Sequence, residues 1–216
     1  MMENTSFQSE NDDKTQTPRT TWIFGYGSLI WNPDFPFEYC VVGHVDGFVR
    51  RFWQGSTWHR GKPEKPGRVV TLVEEEKGQV WGVAYRVSKE NVKRALGNLH
   101  EREIAVGGYK LLRLRFSSNE IPSHTFVVLV YVATPQNPHY LGPATPEQLA
   151  NEIAFAEGHA GLNVEYLIRL ADFMREKVPD CDEEHLFQLE KLVRKELGLC
   201  AEATASWTQL KSNFIK

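Results

Sequence analysis

Between Thr21 and Thr134 the chain alternates short apolar runs, rich in β-branched and aromatic residues, with clusters of turn formers. The runs at 21–31, 41–54, 67–75, 79–87, 109–116 and 124–134 predict about six strands. One stretch interrupts them: "SKENVKRALGNLHERE", residues 88–103, places Val92, Ala95, Leu96 and Leu99 at helical spacing behind Ser88, a credible N-cap. The last third has the helical period. "TPEQLANEIAFAEG" opens on Thr145, Pro146 and Glu147, a cap followed by a first-turn proline and carboxylate, and ends at Gly158. "NVEYLIRLADFMREK" aligns Leu167, Leu170, Ala171 and Met174 on one side, and "DEEHLFQLEKLVRKELG" sets acids early and bases late, as the helix dipole favours. These patterns predict an α+β protein, a compact sheet or small barrel with helices packed outside it and a helical C-terminal third.

Length and composition narrow the picture. At 216 residues the chain suits a single domain. Residues 1–20 carry little that can be buried and are expected to form a disordered tail. The domain is expected over 21–200, with 201–216 as an extension read as a loose end. Lys and Arg number 25 against 28 Asp and Glu, a net charge of -3, so no general field draws the protein to nucleic acid or anionic lipid. "RRFWQGSTWHR" mixes bases with aromatics as single-strand binders do, but its place in a strand pattern favours core and pocket wall. Cys40, Cys181 and Cys200 show neither zinc spacing nor an even set, and the seven histidines form no metal-ligand pair, so no metal is expected. The N-terminus lacks an apolar signal core and no run reaches the ~18 apolar residues of a membrane span. The cytosol is the expected compartment.

Two stretches could carry chemistry. In "WIFGYGSLIW", residues 22–31, a glycine on each side of Tyr26 allows a sharp turn and close approach to the main chain. Consecutive N–H groups there can hold a carboxylate or a carbonyl oxygen gaining negative charge. An ordinary strand-to-strand turn with Tyr26 and Ser28 at the surface gives the same pattern. Neither a Walker nor a dinucleotide glycine spacing is present. In "NLHEREIAVGGYKL", residues 98–111, Glu101 and Glu103 lie two positions apart, diverging on a helix and sharing a face on a strand. A solvated helix end is the ordinary account of such charges.

Taken together, "FGYGSL", "RRFWQGSTWHRG", "PGRVVTL", "WGVAY", "REIAVGGY" and "YVATPQNPHYLGP" resemble, in order and over roughly residues 21–176, the ChaC-type γ-glutamylcyclotransferases that act on glutathione. The resemblance implies a small mixed β-barrel flanked by helices, glutathione as substrate, 5-oxoproline and Cys-Gly as products, and no cofactor. It implies Glu103 as general acid/base, with Glu101 left to solvent. Phe24, Gly25, Tyr26, Gly27, Ser28 and Leu29 correspond to the loop that receives the γ-glutamyl head, Ser28 as a hydrogen-bond donor rather than a nucleophile. Arg60 matches an arginine able to hold a substrate carboxylate, Tyr131 matches a substrate-binding tyrosine, and Tyr109 is a further candidate of that kind.

Overall fold

The computed structural model describes residues 20–103, 109–199 and 205–214, with the side chains of 98–103 and 213 outside that description. Five strands, β1 (Thr20–Gly25), β2 (Tyr39–Ser56), β3 (Gly67–Ser88), β4 (Tyr109–Ser118) and β5 (Thr125–Ala133), close into a barrel in the order β1-β3-β2-β4-β5. The neighbours are antiparallel except at the seam, where β5 runs parallel to β1 with Ile23 opposite Leu129. The barrel is therefore mixed, as the resemblance implied.

The six expected strands become five because 67–75 and 79–87 are one strand of 22 residues. The polar "EEEKG" between them is a bulge: β2 pairs Asp46 with Gln79 and then Phe48 with Glu74, leaving 75–78 as surplus opposite Gly47. Gly47 takes the left-handed φ of 82° that a side chain would resist. Such a bulge bends and twists a long hairpin, as barrel closure requires.

Alternation then sorts the apolar side chains. Phe24, Val45, Leu72, Val80, Phe116 and Val130, from all five strands, fill the barrel. Ile23, Val83, Tyr85 and Val87 face outward and meet Ala95 of α1 (Lys89–Glu103). A second cluster, which includes Phe52 and Val70, packs against α2 (Pro146–Phe155), α3 (Asn163–Lys177) and α4 (Glu184–Glu196). Thr145 caps α2 in a capping box: its hydroxyl accepts from the Gln148 amide at 3.2 Å while the Gln148 side chain accepts from its own amide at 3.1 Å. No helix among the described residues is long and apolar enough to cross a membrane.

The tail expected over residues 1–20 lies outside the described residues apart from Thr20, which opens β1. The far end is not loose where it is described. Residues 205–214 contain a short helix, α5 (Trp207–Leu210), whose Leu210 is buried with the helical cluster. The Trp207 amide donates to Asp172 Oδ2 at 2.9 Å, and Arg194 donates to the Ala205 carbonyl at 2.7 Å. That arginine is buried and paired with the equally buried Glu190, which also binds Arg175. A docked segment this short has no apolar period to announce it.

Removing the acid should expose the dependence on this network. Glu190→Ala leaves Arg194 buried without its counter-charge and is expected to cost about 3–5 kcal/mol in equilibrium urea unfolding. A second check is pH. His185 rests on Phe52, and burial, with Arg51 adding to it, pushes its pKa from 6.5 down to about 4. The unfolded chain takes up that proton first as pH falls, so this contribution is complete above pH 6.5 and is lost toward pH 4. Between pH 7 and pH 5 the urea midpoint of His185→Gln should fall less than that of the wild type.

Candidate functional site

Phe24, inside the barrel with its ring 5.6 Å from Phe116, and Gly25 bring β1 to the rim. Beyond them Tyr26 and Gly27 lead into a one-turn 3-10 helix, Ser28–Ile30. The turn is closed by Ile30 N–H on the Gly27 carbonyl at 2.9 Å, and by Trp31 and Asn32 N–H on the Ser28 carbonyl at 3.2 and 2.9 Å. The first N–H groups of such a helix have no acceptor within it and carry the positive end of its dipole. The turn thus begins at the barrel mouth, directly after β1.

Both glycines are demanded by contact rather than by an unusual φ. A Cβ on Gly25 would lie 2.7 Å from Leu29 Cβ; one on Gly27 would lie 2.6 Å from Tyr166 Oη and 3.0 Å from Val70 Cγ2. The close approach foreseen for a ligand is also an approach of the protein to itself. Tyr166, buried on α3, walls the loop and meets Trp31 edge-on at 5.3 Å. It is a site residue that the sequence pattern hides, because a tyrosine on the apolar face of a helix reads as core.

Two phenols tie the loop to the barrel. Tyr26 donates to the Tyr131 carbonyl at 2.8 Å, across the β1–β5 seam. Tyr85, on the outer wall of β3, donates to the Leu29 carbonyl at 2.7 Å. Tyr131 is half-buried, its side chain packed in the cluster under α1. In the β4–β5 register Leu111 faces Tyr131 and Tyr109 faces Ala133. Tyr109 and Tyr131 therefore share a face as diagonal neighbours.

Glu103 is the last residue of α1, and its side chain, like that of Glu101, lies outside the described residues. Its place in the topology is informative. Six positions later Tyr109 opens β4 opposite the end of β5, the end from which the parallel β1 delivers Gly25. Tyr109, the first described residue after Glu103, thus lies at the rim that carries the loop.

Arg60 is placed differently from a free substrate clamp. It is buried, with Nη1 donating to Glu165 Oε2 at 2.6 Å and to the Leu162 carbonyl at 2.9 Å. Glu165 in turn accepts from Arg169 at 2.8 Å. Its Nη1 is thus bound to the start of α3. Asn163, fully buried at the same helix start, accepts from the Arg68 amide at 2.6 Å and donates to the Arg68 carbonyl at 2.8 Å. Among the described residues no three His, Cys, Asp or Glu side chains gather as a metal site.

Comparison with known proteins adds to this geometry. A family model described as "ChaC-like protein" matches residues 21–196. The human protein named glutathione-specific gamma-glutamylcyclotransferase 1 is 52% identical over 169 residues, 78% of this chain and 76% of its own. The Schizosaccharomyces pombe glutathione-specific gamma-glutamylcyclotransferase is 34% identical over 201 residues, 85% of this chain and 98% of its own. Among solved structures, a yeast γ-glutamylcyclotransferase specific to glutathione superposes with a TM-score of 0.72 at 27% identity, covering 82% of this chain and 96% of that one.

The fit between Gly27 and Tyr166 can be tested directly. Gly27→Ala should cost about 1–3 kcal/mol in urea unfolding, as overpacking does. Adding Tyr166→Phe removes the oxygen nearest the new methyl and should restore part of that loss.

Proposed function

Since the chain belongs to the ChaC-like family, we propose that it is a glutathione-specific γ-glutamylcyclotransferase working in the cytosol. The α-amine of the γ-glutamyl unit attacks its own γ-carbonyl carbon. A five-membered lactam closes, the amide bond to cysteine breaks, and 5-oxoproline and Cys-Gly leave. The substrate supplies the nucleophile, so the reaction asks for no cofactor.

Three tasks remain for the protein: folding the substrate, moving one proton and stabilising one oxyanion. Holding amine and carbonyl in contact removes much of the entropic barrier. Glu103 is assigned the proton, taking it from the α-ammonium and returning it to the departing cysteinyl nitrogen. The ammonium has a reference pKa near ~8 and a solvated glutamate near ~4.3, so a carboxylate withdrawn from water is better matched to the task. The amides that begin the turn at Gly27–Leu29 receive the oxyanion. Tyr26, Tyr131 and Tyr109 are assigned to bind the substrate, and Ser28 donates rather than attacks. Phe24 and Gly25 seat the loop, while Arg60 acts through Glu165 on the position of α3.

The observation that supports this reading is that the glycine-bracketed turn and Tyr109, six positions after Glu103, lie at one end of the barrel. Purified protein supplied with reduced glutathione should release Cys-Gly and 5-oxoproline. Glu103→Gln should lower the rate at least ~100-fold, while Glu101→Gln leaves it within a few-fold. A folded wild type inactive on glutathione but active on other γ-glutamyl compounds would refute the specificity. Loss of activity in Glu101→Gln alone would move the acid/base assignment.

A further inference from the structure

The structure assigns to Tyr85 a role not contained in the loop motif: it is a positioning residue that aims the loop amides from behind, through the carbonyl end of the 3-10 turn. This rests on the reading that those amides meet the substrate oxygen.

Tyr85 lies on the outer wall of β3, between Ile23 of β1 and Cys40 of β2. Gly25, two positions further along the same ladder, faces Val83. The phenol is therefore rooted just below the point where the loop leaves the barrel. Its hydroxyl reaches the Leu29 carbonyl at 2.7 Å and the Ile30 carbonyl at 3.3 Å. Those are the trailing carbonyls of the turn; the Gly27 and Ser28 carbonyls are already used by Ile30, Trp31 and Asn32. A one-turn helix has too few internal bonds to hold its own axis, so an outside donor at its carbonyl end sets where the opposite, amide end points.

The surroundings keep this donor in one state and one place. Tyr85 is 3% exposed, with the Phe35 ring edge-on at 5.7 Å and the Phe37 ring at 4.9 Å. Burial drives its pKa upward, so the hydroxyl keeps the proton it donates. Phenylalanine would fill the same space, so the hydroxyl is what Tyr85 adds here, and this turn is where it donates.

Tyr85→Phe isolates the hydroxyl, with two readouts on the full-length protein. Amide hydrogen exchange at Ile30, Trp31 and Asn32 should quicken about tenfold, while strand amides of β2 and β3 exchange as in the wild type. With glutathione, kcat should fall about tenfold and KM change less than twofold, because the oxyanion exists only in the transition state. Unchanged exchange at the turn, an unchanged kcat, or a rise in KM matching the fall in kcat would each overturn the proposal. A wild type inactive on glutathione would instead overturn the functional reading and the catalytic half of this one, the exchange data still deciding whether Tyr85 holds the turn.

Discussion

The arrangement depends on how α3 is set against β3, and a single buried amide does most of that. Asn163 gives and takes a hydrogen bond with the main chain of Arg68, behaving as one extra rung of a β-ladder supplied by a side chain. Its geometry leaves no freedom of register, since a one-residue slip would bury both amide groups unpaired. Gly67 stands beside it, where a Cβ would come within 2.2 Å of the Arg60 carbonyl oxygen and 2.8 Å of Asn163 Oδ1. Once Asn163 is placed, Glu165 is in reach of Arg60 and Tyr166 is against Gly27. The loop's wall is thus a consequence of a main-chain contact at the start of α3.

Charged groups around this frame follow the same economy of partners. Glu165 serves Arg60 and Arg169 from its two oxygens, and Glu190 does so for Arg194 and Arg175. Buried ions cost desolvation, so their gain lies in specificity of arrangement more than in net stability. Glu190 and Arg194 give the C-terminal segment one docking place, beside α3 and α4. The same helices therefore hold the loop wall on one side and the chain's end on the other.

Much of this was legible in the chain. The cap and proline at Thr145–Pro146 mark α2, and the two later helices follow from period alone. Gly25 and Gly27 signal a special turn, though not that Leu29 and Tyr166 are what approach them. The bulge in β3 was unreadable because "EEEKG" has the composition of a turn, and only barrel curvature makes it part of one strand. Nothing in the sequence marks Tyr166 or Tyr85, since the partners of their hydroxyls lie far away along the chain. Arg60 was visible as a cation but not as one already paired. Glu103 was marked by motif alone, its side chain being outside the described residues.

The seam between β1 and β5 has a consequence for the order of events during synthesis. Tyr26 bonds to Tyr131 across 105 positions of chain, and β1 meets β5 along the same line. Bringing such distant segments together carries a loop-closure cost that local hairpins such as β2–β3 and β4–β5 do not pay. A nascent chain can therefore pair its hairpins early, whereas the rim with its turn is complete only after β5 has emerged and the circle has closed. The glycine-bracketed turn and its surroundings are then among the last parts of the folding molecule to take shape.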